Sequence, residues 1–235
     1  LQPSTVDVTI EMDDKHVNIL IVGAGLSGIG AAYHLNKECP NKNYLILESR
    51  DQLGGTWDLF KYPGIRSDSD MCTMGFRFKP WQGEKLVADG GSILDYLHEI
   101  ADENKIKEKI QYHSHVESVS WSSDIAQWSV IYKNKLDNSK SVLTCDFLYL
   151  CVGYYDYDQG YDPDFKGSDN FNGQIIHPQK WPEDLDYLNK RVVVIGSGAT
   201  AVTLIPSMAE KTKHITMLQR SPTYYMIRPN ENPIG

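Results

Sequence analysis

The stretch HVNILIVGAGLSGIGAAYHLNKE, residues 16–38, decides how the chain is read. Its first seven residues form a short apolar run of the kind buried on both faces of a parallel sheet. Glycines follow at positions 23, 25 and 28, and an apolar helical period comes next. GxGxxG spacing alone is a weak signal, but strand, glycine turn and helix in that order point to a dinucleotide site. Gly23 permits the tight turn, Gly25 lets a pyrophosphate approach the backbone, and Gly28 lets helix and strand pack closely. The helix N-terminus then offers free N–H groups and the positive end of its dipole to phosphate. The bland alternative is a glycine-rich turn with no ligand.

The next apolar run, YLILE, ends at Glu48, twenty residues after Gly28. An acid there accepts hydrogen bonds from a ribose diol and repels a 2′-phosphate. The first site therefore expects FAD or NAD, and nothing up to this point separates the two. Further on the pattern repeats: RVVVI, residues 191–195, runs into GSGATA. Gly196, Gly198 and Ala201 take the same three roles, with Ser197 and Thr200 in the same loop. The strand after it, HITMLQRS, carries Gln219, Arg220 and Ser221 where the first unit has its acid. An arginine there can clamp a 2′-phosphate through two charge-assisted hydrogen bonds, so this site should prefer NADP. The competing reading has Arg220 as a surface cap on a strand end. Two nucleotide folds of opposite ribose preference imply an electron path from NADPH to FAD.

Composition is compatible with this. The 235 residues are 41% hydrophobic and 23% charged, ordinary for a globular protein with a sizeable core. A net charge of −8 argues against nucleic acid as the main partner. No apolar run approaches the roughly 18 residues that span a bilayer. Cys39, Cys72, Cys145 and Cys151 form no CxxC pair and no metal-ligand spacing, so they read as free thiols of a cytoplasmic protein, with no metal expected.

Between the two glycine motifs, residues 92–105 read as an amphipathic helix with Ile93, Leu97 and Ile100 on one face. Three β-rich runs follow, suggesting a small sheet and a return to the main one by DFLYLCVG, a buried strand ending at Gly153. The expected fold is α/β, two Rossmann-type nucleotide-binding folds, FAD then NADP, with a small β insertion. Residues 1–16 read as a disordered leader or expression scar and 17–155 as the FAD-binding domain. Residues 156–189, rich in Asp, Pro, Gly and aromatic side chains, read as a linker, and 190–235 as the start of the NADP-binding domain.

Within that linker, FNGQIIHPQKWP, residues 171–182, is similar to FxGxxxHxxxWP, the fingerprint of Baeyer–Villiger monooxygenases; Glu183 departs from the residue that commonly follows. Residues 54–68, GGTWDLFKYPGIRSD, resemble the family's GGxWxxxxYPGxxxD at every position. With both glycine motifs, the resemblance to these class B flavin-containing monooxygenases covers most of residues 17–228. It lies nearest the ethionamide-activating and long-chain alkane monooxygenase branch.

The resemblance implies that NADPH reduces FAD, that a C4a-peroxyflavin forms with dioxygen, and that one oxygen atom enters the substrate. A ketone would give an ester, and a sulfide or amine would be oxygenated directly. The partners implied are dioxygen and a small apolar ketone, sulfide or long-chain substrate, without nucleic acid or a transmembrane segment; peripheral membrane association is compatible with them. Asp68 is the candidate catalytic residue, placed by motif near flavin and nicotinamide. Gly55, Thr56, Trp57 and Val116 join Gly23, Gly25, Gly28, Glu48 and Asp68 in the FAD set. His177 and Trp181 belong to a linker that reorders when NADP binds, coupling hydride transfer to protection of the oxygenating species. The chain stops after the second strand of the NADP fold, and neither Arg220 nor Arg228 matches the family's active-site arginine. The expectation is an N-terminal fragment that does not oxygenate alone. Two other classes compete: a nucleotide-binding fragment without turnover, and a disulfide reductase of similar build, which the absence of CxxC disfavours.

Overall fold

The computed structural model describes residues 10–227 and 229–232, with side chains from Lys15 onward. Arg228 and the first nine residues of the expected leader lie outside the described residues. The chain forms two compact units. One runs up to Thr56 and includes Asp95–Tyr154; the other comprises Trp57–Leu94 and the chain from Tyr155.

The first unit is built on a six-stranded sheet. In chain order its strands are β1 (Ile10–Val22), β2 (Tyr44–Leu47), β3 (Ile110–Gln111), β4 (Ser114–Ser122), β5 (Gln127–Asn134) and β6 (Lys140–Leu150). Their order across the sheet is β3-β2-β1-β6-β5-β4. β1 lies parallel to both β2 and β6, with Ile19 opposite Tyr44 and Val22 opposite Leu47. Helix α1 (Leu26–Glu38) follows β1 directly. Leu20, Ile21 and Ile46 have no solvent exposure, as the unbroken apolar runs predict for strands covered on both faces. Val17, Leu47, Val130, Tyr132, Leu143 and Cys145 close the core around Leu20.

Three expectations change here. β1 begins at Ile10, inside the stretch read as leader, because Ile10–Met12 pair with Lys140–Val142 of β6. Nor is DFLYLCVG buried throughout. β5 pairs with β6 only as far as Trp128 opposite Cys145, and beyond that point Phe147, Tyr149, Leu150 and Val152 are exposed. The β insertion is likewise not a separate sheet. β6 is long enough to pair antiparallel with β5 and parallel with β1, so hairpin and nucleotide fold share one strand.

The second unit carries β7 (Arg191–Ile195) and β8 (His214–Leu218), parallel and in register from Arg191 opposite His214 to Ile195 opposite Leu218. The helix between them, here α2 (Ala199–Ala209), contributes Leu204 and Met208 to a core with Phe60 and Tyr62. Trp181, Tyr187, Val192 and Ile215 pack on that core. Gly64, at φ +80°, approaches the same helix so closely that a Cβ would lie 2.4 Å from the Thr203 carbonyl oxygen. Tyr62-Pro63-Gly64 is therefore a packing element of the second unit. That is why residues 57–94 cluster there and not in the 17–155 domain expected from the sequence. Leu86 and Val87 are strapped by Asn230, whose carbonyl accepts from Leu86 N at 3.0 Å and whose Oδ1 accepts from Val87 N at 2.6 Å.

The helix Gly90–Glu103 starts two residues before the predicted 92–105. Asp89 accepts from both N and Oγ of Ser92 at 2.9 Å, and the Ser92 N–H holds the carboxyl below its usual range. Ile93, Leu97 and Ile100 are fully buried, as their spacing requires. Residues 156–189 contain no strand and no α-helix, only 3₁₀ turns at Ser168–Asn170 and Pro178–Lys180.

Candidate nucleotide sites

At the first glycine turn each glycine answers to a different neighbour. Gly23 sits at φ +103°, where a Cβ would lie 2.5 Å from the Cys151 carbonyl oxygen. A Cβ on Gly28 would lie 2.0 Å from the Gly23 carbonyl oxygen, which is the close helix–strand approach the spacing predicts. Gly25 is not forced by its protein neighbours: its backbone is extended (φ −80°, ψ −169°), and a Cβ would make ordinary contact, 3.6 Å, with Cα of Gly55. Without a side chain at Gly25 or Gly55, the backbone at this turn has no covering of its own against a pyrophosphate. Gly54 N donates to the Ala24 carbonyl at 3.0 Å, tying the two glycine segments together. No side chain caps the N-terminus of α1.

Glu48 does more than the sequence indicates. It is buried; Oε2 accepts from Ala24 N at 2.8 Å and Oε1 from Arg50 N at 2.9 Å. The acid thus latches the glycine turn to the end of β2, and the remaining lone pairs of its oxygens are free to accept from a ribose diol. Burial first, and then the Glu48 charge, push the Tyr112 phenol up. Arg50, not singled out in the sequence, donates from Nη1 to the Gly55 carbonyl at 3.2 Å. Val116 is half-buried against the core beside Leu45, Trp128 and Leu148, at an irregularity in the β4–β5 register. Uncapped helix end, glycine turn and buried acceptor together fit a flavin dinucleotide.

In the second unit Gly196 sits at φ +122°, and a Cβ on Gly196 or Gly198 would meet nothing within 4 Å. Ala201 is buried. Thr200 is half-buried, and its carbonyl accepts from Thr203 Oγ1 at 3.1 Å. The Ser197 hydroxyl lies 2.6 Å from that of Thr223, fastening the turn to the segment that carries Arg220 and Ser221, both exposed. Thr223 was legible only as one more polar residue after the strand. An uncapped helix terminus in the same unit as the exposed Arg220 fits a 2′-phosphorylated dinucleotide.

Elsewhere in this unit, Trp57 is half-buried and Asp68 is exposed in a bend. Asp58, overlooked in the sequence, is buried and receives Lys61 Nζ at 3.3 Å. In the fingerprint, the Phe171 ring folds over Gly173. His177 Nδ1 accepts from Gln179 N at 3.2 Å, and Trp181 packs edge-on against Tyr187 at 6.3 Å between ring centroids. Gln179, which no sequence signal marks, is buried and donates from Nε2 to the Asp156 carbonyl. All four cysteines are unpaired; burial pushes the Cys145 thiol up to about 11. Among the described residues no group of three His, Cys, Asp or Glu is placed to hold a metal, and no helix is long and apolar enough to cross a membrane.

Two turns of this kind in one chain, one followed by an acid and the other by an arginine at the next strand end, define a two-nucleotide fold. The flavin-binding monooxygenase-like family model matches residues 15–233, and the chain belongs to that family. It is 55% identical over 222 residues to the FAD-containing monooxygenase EthA of Mycobacterium tuberculosis, covering 94% of this chain and 45% of that protein. It is 52% identical over 218 residues to the probable FAD-binding monooxygenase AlmA of Acinetobacter baylyi, covering 92% and 44%. The chain therefore spans less than half the length of these relatives. Among solved structures, an open crystal structure of cyclohexanone monooxygenase superposes with a TM-score of 0.82 at 28% identity, covering 93% of this chain and 43% of that one. Oxidized steroid monooxygenase bound to NADP gives 0.78 at 28%, covering 89% and 40%.

Proposed function

We propose that this chain carries the FAD-binding and NADP-binding parts of an NADPH-dependent flavoprotein monooxygenase that inserts one oxygen atom from dioxygen into a ketone, giving an ester, or into a sulfide. The observation that carries the reading is the opposite chemistry at two equivalent places. Glu48 is a buried acceptor at the end of β2, and Arg220 is an exposed cation after β8. FAD, when bound, supplies the redox and oxygen-activating chemistry. Gly25 and Gly55 then present backbone to its pyrophosphate, with Glu48 holding its ribose and orienting the turn. Arg220, Ser197 and Ser221 bind the 2′-phosphate end of NADPH. We assign Asp68 to orienting a cationic partner near the nicotinamide, Thr56 and Trp57 to the flavin edge, Val116 to the adenosine side, and His177 with Trp181 to coupling. The oxygenating activity belongs to the complete protein, for which relatives of twice this length are the support. The four unpaired thiols support a cytoplasmic setting.

The test uses the complete protein with bound FAD, supplied with NADPH and either a cyclic ketone or a methyl aryl sulfide. Ester or sulfoxide containing one ¹⁸O atom from ¹⁸O₂, in step with NADPH consumed, is the expected result. Flavin reduction with only hydrogen peroxide released for both substrates would remove the oxygenase reading and leave an oxidase.

A further inference from the structure

The imidazole of His177 rests against Gly160: a Cβ built on Gly160 would lie 2.2 Å from both Cε1 and Nδ1 of the ring and 2.5 Å from Nε2. Such a contact is possible only where the residue beneath has no side chain. The backbone torsion of Gly160 lies outside the left-handed range, so conformational strain is not what calls for glycine there. The ring is what calls for it.

The same ring is held from a second side. Nδ1 accepts from Gln179 N at 3.2 Å, which places the proton of the neutral imidazole on Nε2. Gln179 is in turn anchored, buried, with its side-chain amide donating to the Asp156 carbonyl. Asp156 begins the turn leading to Gly160, with Asp158 N bonded to its Oδ1 at 2.9 Å. Residues 156–160 and 177–179 therefore clasp one imidazole between a glycine face and a backbone donor, with Nε2–H as the hydrogen-bond donor of the ring. We propose that Gly160 is the seat of His177, a positioning residue whose missing side chain fixes the direction in which the linker histidine presents Nε2–H. This rests on the reading of His177 as a coupling residue and adds to it the part of the chain that sets its aim.

A methyl at position 160 has an inexpensive escape, because the imidazole sits on two rotatable bonds and can swing away. Gly160→Ala should therefore displace the ring and leave the fold intact. In the complete protein, Gly160→Ala, His177→Ala and the double variant are compared for bound FAD, melting temperature and product formed per NADPH consumed. The expected result is a loss of coupling of the same factor in all three, with flavin content and melting temperature near those of the unmodified protein for Gly160→Ala. Once the ring is gone the seat has nothing left to aim, so the second substitution adds nothing. A double variant worse than His177→Ala alone, or normal coupling in Gly160→Ala beside defective His177→Ala, overturns the proposal. If His177→Ala couples normally, the coupling reading falls by itself. The seat is then decided by a crystal structure of Gly160→Ala, where a displaced ring supports it and an unmoved ring overturns it.

Discussion

A methyl on Gly28 in the first glycine turn would lie 2.0 Å from a carbonyl oxygen, whereas the corresponding place in the second turn is Ala201, which carries one and is buried. The two motifs share spacing, strand and helix, and both hold their first glycine at positive φ with room for a methyl at the second, yet they part at the third position. In the first turn Gly23 is pressed on Cys151 and Gly28 on Gly23, with Glu48 bonded to Ala24 N. In the second, Gly196 N donates to the Leu218 carbonyl at 2.8 Å and the Ser197 hydroxyl meets that of Thr223, and Val193 and Ile195 of the adjoining strand are 61% and 59% exposed. Within each pattern, then, folding dictates some glycines, Gly23, Gly28 and Gly196, and leaves others, Gly25 and Gly198, open for a ligand. Substitutions that a fold cannot accept separate the two cases.

The largest effect should come from Gly28→Ala. A backbone carbonyl cannot swing aside as a side chain can, so about 3 kcal/mol of stability should go, the upper end of ordinary overpacking costs. For a chain of this size that is a fall in melting temperature of roughly 6–12 °C, read by thermal denaturation with FAD present. An unshifted transition would mean that α1 does not lie on its strand as described.

Arg220→Ala should leave the fold untouched and act on cofactor choice alone. Loss of a charged partner to phosphate removes about 1.5–3 kcal/mol, roughly a 10- to 150-fold rise in KM for NADPH with that for NADH unchanged. Steady-state flavin reduction with both nucleotides measures it. Equal use of the two by the unmodified protein would erase the contrast between Glu48 and Arg220.

Glu48→Ala sharpens the same contrast from the other side. It strips the acceptor from the buried Ala24 N–H and from the Arg50 N–H, at a cost of about 1–3 kcal/mol. FAD content should fall together with the melting temperature, whereas Arg220→Ala lowers neither. Flavin absorbance per protein and calorimetry on one sample decide it.

The smallest effect on stability belongs to Gly198→Ala, within about 0.5 kcal/mol, since the backbone is extended and the space is open. Its effect should fall on NADPH binding, because the methyl takes the room a pyrophosphate needs. Isothermal titration with NADP reads it, and undiminished affinity would show that the phosphates lie elsewhere.

Strand, glycine turn and helix were legible twice from the sequence, as were the acid and the arginine at corresponding places and the amphipathic face of Ile93, Leu97 and Ile100. These are local matters: period, glycine spacing and the distance along the chain to the next strand end. What the tertiary structure alone decided involves residues far apart in sequence. The sharing of β6 between hairpin and nucleotide fold depends on where its pairing with β5 stops, and that leaves Phe147 and Leu150 exposed in a run that reads as core. Tyr62-Pro63-Gly64 belongs to the second unit because Gly64 meets Thr203, which lies far along the chain. Glu48 is a structural latch as well as the proposed ribose acceptor, since folding brings the backbone N–H of Ala24 to it. No period in the sequence links Gly160 to His177. Their contact exists because two irregular segments fold against each other, and packing of that kind is set by three-dimensional complementarity that linear spacing does not encode.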